Sequence, residues 1–409
     1  MYVAVAGIIA EYHPFHRGHA WQIASLRERL GEETAVVVAM SGNFVQRGDF
    51  AVFGKHARAE MALAGGADLV LEIPTPWASA TAERFAQGGA AILAATGVLT
   101  HLVFGCESGD AAPLAAVADG LNDPRYPELL RRNLADGMSF AAARQSALTE
   151  LIGPAAETLA KPNNALAVEY LRALSEYAPS VIPLALPRVG ADHDSSELGA
   201  YPSASAIRKV LLSGGDWKPL VSEETSAIMH REIEEGRAPV TLETCERAVL
   251  ARLRSMREEE FLPYDGGGEG LYRRFYRAVH SATSVAAVLE TAKTKRYPLA
   301  RLRRMLLHSY LDIPEAARGE TPTYLRVLGA NERGRTVLRQ MRKCAALPVI
   351  TKPGDIRKMS DAVRELFQRE AACTDLYTLA MPDLSHAVPD LEFSKAAVMV
   401  GIEPERKTQ

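Results

Sequence analysis

The chain has 409 residues, 47% hydrophobic and 24% charged, with a formal net charge of −3. That length exceeds the roughly 250–300 residues at which single cores split, so two or more domains are expected. The charge excludes a globally basic nucleic-acid binder, so any basic surface must be local.

Read from its start, the sequence opens on Met-Tyr-Val-Ala-Val-Ala-Gly-Ile-Ile with neither a basic leader nor a cleavage site, which reads as a strand rather than a signal peptide. No apolar run reaches the about 18 residues of a membrane span. The cysteines Cys106, Cys245, Cys344 and Cys373 form no C-x-x-C pair. Their scatter argues against a disulfide framework or a zinc site and suits a reducing, cytoplasmic compartment.

Residues 3–9, 35–40, 69–73 and 102–104 are continuous apolar runs, the pattern of strands buried on both faces. Helical patterns over 19–30, 55–64 and 81–95 lie between them. This alternation predicts an α/β fold with a doubly wound, Rossmann-like parallel sheet. Residues 107–160 read as a helical insertion rich in Ala and Leu, followed by a helix over 164–176 and a strand near 180–187. The run Ser213-Gly214-Gly215-Asp216-Trp217-Lys218-Pro219 marks the end of the α/β part, giving domains at 1–220 and 221–409. The second is almost wholly helical in pattern, with a Gly-rich break at 265–268 and a frayed tail at 403–409.

The chemistry is expected just after the first strand, where Glu11-Tyr12-His13-Pro14-Phe15-His16-Arg17-Gly18-His19 opens the first helix. A strand–loop–helix junction presents backbone N–H groups and a positive helix end to an anion. His16 and His19 lie three apart, so both can point from the first turn toward one group. Gly18 leaves room for close approach of a nucleotide. Two imidazoles at an α-phosphate can stabilise charge that builds during in-line displacement of pyrophosphate. The plainer reading is two surface histidines at a helix start. Zinc is a third reading, but a metal pair on a helix takes i,i+4 histidines plus another ligand, and none is evident.

A second segment, Ser203-Ala204-Ser205-Ala206-Ile207-Arg208-Lys209, places hydroxyls before a helix and cations on its first turn. Taken alone it is a capped helix start; paired with His16 and His19 it puts Arg208 at the β- and γ-phosphates. Arg47, Lys55 and Arg58 flank the expected pocket, as phosphate or RNA contacts or as solvated helix charges. Asp192-His193-Asp194 reads as a polar loop rather than a metal site. The stretch 271–310 carries nine Lys and Arg against one acid, Glu290, interleaved with Tyr272, Phe275, Tyr276 and Tyr297. That combination suits RNA, with rings for stacking unpaired bases; a basic helix pair packing its aromatics inward is the alternative.

His-x-Gly-His after strand one, with Ser-x-x-Ser-x-Ile-Arg later, resembles the nucleotidyltransferase superfamily that includes class I aminoacyl-tRNA synthetases. More closely, the chain resembles the bacterial tRNA(Met) cytidine acetate ligase family. The segments that carry this are Glu11–His19, Met40-Ser41-Gly42-Asn43-Phe44-Val45-Gln46-Arg47-Gly48, Lys161-Pro162-Asn163-Asn164, Thr294-Lys295-Arg296-Tyr297 and Tyr324-Leu325-Arg326-Val327-Leu328-Gly329. The resemblance implies that ATP activates acetate as acetyl-adenylate and that N4 of the wobble cytidine of elongator tRNA(Met) is then acetylated. By position it implies an ATP loop of Gly7, Ile8, Ile9, Ala10, Glu11, Tyr12, His13, Pro14, Phe15, His16, Arg17, Gly18, His19 and Ala20. Gly105, Asn163, Arg188 and Ser205 join it as further ATP contacts, with His16, His19 and Arg208 catalytic. The family's usual Asn is His13 here. Partners are therefore ATP with Mg2+, acetate and tRNA, with Lys295, Arg296, Tyr297, Arg303 and Arg304 meeting the tRNA. An adenylyltransferase acting on a small phosphorylated metabolite would leave the basic helical half unexplained. A non-catalytic RNA-binding protein on the same fold would leave His16, His19 and Arg208 without a task.

Overall fold

The computed structural model describes residues 4–107, 109–160, 162–188, 201–267 and 270–401. The first half follows the predicted alternation. β1 (Val5–Ala10) leads to α1 (Arg17–Leu30), then β2 (Ala35–Ser41), a hairpin of β3 (Phe44–Val45) and β4 (Asp49–Phe50), α2 (Lys55–Ala64) and β5 (Leu69–Ile73). Next come α3 (Thr75–Ala78), α4 (Ala82–Ala95) and β6 (His101–Cys106). The expected insertion is helical: α5 (Ala112–Asn122), α6 (Tyr126–Ala135) and α7 (Phe140–Ile152) precede α8 (Pro162–Tyr177) and β7 (Ile182–Pro187).

β2 and β5 are buried along their whole length, which is why they read as unbroken apolar runs. Each Val, Leu or Ile so placed contributes about 1.5–3 kcal/mol. β1 pairs in parallel with β2 on one side and β6 on the other, β2 with β5, and β6 with β7. The chain thus moves outward in one direction through β1, β2 and β5, and in the other through β6 and β7. The reversal lies between β1 and β6, and in open α/β sheets ligands bind in the crevice at that switch, beyond the carboxyl ends of the strands.

The second half is helical through α9 (Ala204–Leu212), α10 (Glu223–Glu234), α11 (Glu246–Ser255), α12 (Leu271–Ser281), α13 (Val285–Ala292) and α14 (Leu299–Leu311). There it departs from the sequence reading. β8 (Leu325–Ala330) returns to the sheet and pairs antiparallel with β5. α15 (Glu332–Cys344), β9 (Val349–Ile350), α16 (Asp361–Thr378), α17 (Leu391–Ser394) and β10 (Val398–Met399) follow, and both β9 and β10 pair with β8. Six apolar-flanked residues inside a helical region give too short a signal to separate strand from helix. All of β8 is buried.

Two cores cover the sheet. One gathers α4, α8, α15 and α16 with residues such as Phe85, Leu174, Met341 and Phe367; the other holds α1, α2 and α9 with Ile23, Met61 and Ile207. A third core joins α11 through α14 to the β3–β4 hairpin through Phe44, Phe50 and Tyr310. Among the described residues no helix is long and apolar enough to cross a membrane.

Candidate active site

The loop after β1 is shaped from within. Tyr12 adopts a left-handed backbone, φ 46°, a conformation that costs a non-glycine residue about 1–2 kcal/mol. Its buried ring packs edge-on against Phe15 at 4.9 Å and against His19 at 4.6 Å, which holds the turn. Phe15 is seated against Gly65, where a Cβ would lie 2.1 Å from the ring. A Gly is therefore needed there for the loop to close on the helix below it.

His16 caps α1, accepting the Gly18 backbone N–H at Nδ1 over 3.1 Å. His19 accepts the His16 N–H at its own Nδ1 over 3.2 Å. The two rings stack with centroids 3.7 Å apart and planes 28° from parallel. An Nδ1 that accepts a hydrogen bond carries no proton, so each neutral ring bears its hydrogen on Nε2. The pair thus carries two Nε2–H donors at the amino end of a helix. Gly18 makes this possible: a Cβ there would sit 3.0 Å from His16 Cε1.

His13 has a different position. It is 6% exposed, and its Nε2 accepts the Val52 N–H at 2.9 Å. Burial, reinforced by Arg208 and Arg58, holds its pKa well below the usual histidine range, so it stays neutral and ties the loop to the segment after β4. Glu11 does the same for the hairpin, its Oε1 accepting the Gln46 N–H at 2.7 Å.

Arg208, on α9, reaches this loop. Its guanidinium donates to the His13 carbonyl at 2.6 Å and to Ser205 Oγ at 3.1 Å. Ser203 accepts the Ala206 N–H and caps the helix. Two segments separated by nearly the whole α/β part therefore meet as the sequence suggested. On the other side of the switch, Arg188 lies beside Gly105, its backbone N–H donating to Cys106 at 2.9 Å. A Cβ on Gly105 would lie 3.2 Å from Arg188 Cγ. Gly7 sits deeper in the sheet, where its missing side chain makes room for Leu93 and Leu99. The Asn163 side chain and the 192–194 run lie outside the described residues.

The sequence reading put Lys55 and Arg58 at the mouth of the pocket; the structure buries both. Lys55 Nζ lies 2.7 Å from Glu72 and 2.7 Å from Glu392. Arg58 is 0% exposed. It donates to the carbonyls of Phe53 and Ser41, each at 3.0 Å, and to those of Glu11 and Gly42. One guanidinium thus joins the ends of β1 and β2 to the start of α2, directly beneath the histidine loop. Burial lowers its pKa to about 10, still far above neutrality. The signal for this was present: α2 reads Lys-His-Ala-Arg-Ala-Glu-Met-Ala-Leu-Ala, so its first cations lie among small apolar residues rather than on a polar face.

In the basic stretch, Arg274 donates to the carbonyls of Ala292 and Thr291 at the end of α13, and Arg301 to Asp265. Tyr297 is 8% exposed, packed in the helical core with Arg301 and Arg296 over its ring at 5.4 and 5.8 Å. It seats cations instead of presenting a bare face. Lys295 and Arg296 are exposed, and Arg303 and Arg304 are half-buried. α14 is pressed onto the hairpin: Gly48, at φ +76°, would place a Cβ 2.6 Å from the Arg304 backbone nitrogen. Arg303 lies 4.0 Å from Asp49. The basic helices therefore adjoin the loops that build the site. Among the described residues no group of three or more His, Cys, Asp or Glu gathers as a metal site would.

Comparison with known proteins shows the family. The profile of the HIGH nucleotidyl transferase family matches residues 3–389. A Syntrophomonas wolfei protein named tRNA(Met) cytidine acetate ligase is 37% identical over 399 residues, covering 93% of this chain and 96% of its own length. One of the same name from Caldanaerobacter subterraneus is 38% identical over 396 residues, covering 95% and 97%. Thermotoga maritima TmcAL in its apo form matches with a TM-score of 0.91 at 34% identity, over 97% of this chain and 99% of that one. The same protein bound with alpha-thio ATP gives 0.90 at 33% identity.

Proposed function

Since the chain belongs to the HIGH nucleotidyl transferase family, among the tRNA(Met) cytidine acetate ligases, we propose that it activates acetate with ATP and acetylates N4 of the wobble cytidine of elongator tRNA(Met). The observation that carries this reading is the pair of stacked imidazoles at the start of α1, both committed to the Nε2–H tautomer.

Acetate is inert because its leaving group would be oxide, and cytidine N4 is a weak nucleophile because its lone pair is delocalised into the ring. Adenylation answers both difficulties. A carboxylate oxygen attacks the α-phosphorus, the bond to the bridging oxygen breaks, and pyrophosphate departs. The His16 and His19 Nε2–H groups and the positive end of α1 stabilise the charge that accumulates on the phosphoryl oxygens. Arg208, half-buried beside the loop, would hold the departing pyrophosphate, whose charge Mg2+ would help to neutralise. N4 then attacks the acetyl carbonyl, AMP leaves, and N4 loses a proton.

The remaining ATP contacts fall to the Gly7–Ala20 loop, Gly105, Asn163, Arg188 and Ser205. Residues 1–220 then carry the nucleotide chemistry, and 221–409 present tRNA to it through Lys295, Arg296, Arg303 and Arg304. The protein works in the cytoplasm, where ATP, acetate and tRNA coexist. The test is pyrophosphate exchange into ATP with acetate present, followed by mass analysis of elongator tRNA(Met) after full reaction. Exchange that depends on acetate, and a gain of one acetyl group on cytidine, are expected. Exchange that instead requires a phosphorylated metabolite would overturn the reading.

A further inference from the structure

The outer edge of β8, though buried, is incompletely paired among the described residues. β9 pairs with it at Leu325 and Arg326, and β10 at Gly329 and Ala330, so the two registers skip Val327 and Leu328. Beside this gap lies a cavity of about 660 Å³, with Val327, Leu338, Ala397 and Met399 among its apolar walls. Among the described residues its charged lining is cationic: Arg335, Arg339 and Arg342 from α15, and Lys352 from the segment after β9.

The positions 335, 339 and 342 fall four and three apart, so they form one stripe along α15. The buried stripe of the same helix is Gly334, Val337 and Met341. Arg333, at the start of α15, faces carboxylates, lying 3.6 Å from Glu33 and 3.9 Å from Asp68. Arg339, Arg342 and Lys352 have no such partner among the described residues and are exposed. Like charges gathered on one helix face destabilise it by about 0.2–0.5 kcal/mol per pair. A chain of net charge −3 has acids enough to neutralise them, so their being left together points to an anion supplied from outside. The stripe runs about 10 Å along the helix at about 1.5 Å per residue, which is longer than one phosphate. A row of phosphates fits it, with a sugar or base face against the apolar wall.

We propose that this cleft is a second docking surface for the phosphate backbone of the tRNA, apart from the basic helices around Lys295 and Arg303. This rests on the tRNA-acetylating function proposed above. The cleft lies at the outer edge of β8, and β8 is three strands from β1, roughly 14 Å across the sheet at ~4.8 Å per strand. One tRNA can span both.

The test uses the full chain and elongator tRNA(Met). R339E/R342E/K352E should weaken tRNA binding by at least about tenfold. The neutral triple with Gln at the same positions should flatten the dependence of log affinity on log salt by about one unit per lost contact. Acetate-dependent pyrophosphate exchange without tRNA should stay at the wild-type rate in both. If the reversed triple melts early, the neutral one, checked for a wild-type Tm, carries the measurement. Wild-type affinity and salt slope in a folded variant would overturn the cleft while leaving the ligase reading intact. A wild-type protein that neither binds nor acetylates tRNA would overturn both.

Discussion

His16 and His19 each give Nδ1 to the backbone of their own helix turn. Nothing further has to be reorganised for their Nε2–H groups to meet developing charge, and such preorganised donors act most strongly in the transition state. His19→Ala should therefore lower acetate-dependent exchange by about 10²–10³-fold, near 2.7–4 kcal/mol, with KM for ATP much less affected. Near wild-type turnover would remove the pair from the chemistry. Arg58 acts one layer below, through the four carbonyls it holds. Arg58→Lys keeps the charge but lacks the planar fork needed to satisfy all four. Each stranded buried carbonyl costs about 1–3 kcal/mol. A lower Tm together with a larger rise in KM for ATP than fall in kcat is expected. Unchanged melting and KM would mean that the loop holds its shape without this guanidinium.

Elements far apart in the chain are joined by buried charge. Lys55 on α2 pairs with Glu72 on β5 and Glu392 on α17, and Arg326 on β8 lies 3.3 Å from Glu392. Glu370 on α16 accepts the Thr75 N–H at 2.6 Å and its hydroxyl at 2.8 Å. Burial, then the neighbouring Glu72, push the pKa of Glu370 from 4.5 up to about 8. A carboxyl whose folded pKa is raised gives its full stabilisation below about 4.5 and loses it as pH climbs through about 8. Glu392 moves the other way, held low by Lys55 and Arg326 against its burial, so its contribution is lost on acidification. Glu370→Gln removes the first effect and keeps an acceptor for Thr75. Thermal melts should show its Tm advantage over wild type growing between pH 5.5 and 8.5; an advantage independent of pH would mean that Glu370 titrates normally.

Across the whole molecule, α14 rests on the β3–β4 hairpin, which Glu11 and Arg58 tie to the histidine loop. On the proposed reading, RNA held on the helical half is thereby brought next to the nucleotide half, the two meeting through Phe44, Phe50 and Tyr310. Lys295 and Arg296 lie outside the histidine cluster, so K295E/R296E should weaken tRNA binding. The neutral pair should flatten the salt dependence by about one unit per contact. Pyrophosphate exchange with acetate should continue at the wild-type rate. Loss of exchange in a folded variant would show that the two halves are coupled more tightly than their packing suggests.

The sequence alone determined the strands of the parallel sheet, because strands buried on both faces need unbroken apolar runs and leave a signal that needs no partner. It also determined the position of His16 and His19, since a histidine pair at a strand-to-helix junction is a local pattern. The meeting of their loop with Arg208, at the His13 carbonyl, was legible only as two motifs in the right order. The tertiary structure decided the rest. Lys55 and Arg58 look like surface cations until carboxylates and carbonyls from four other segments close over them. β8 is too short to announce itself within a helical stretch and is a strand because β5 offers it an edge. Tyr297 reads as a stacking platform and becomes a core residue because helices pack around it. Each of these depends on groups on other segments of the chain or on a neighbour's hydrogen-bonding edge, and no local periodicity records either.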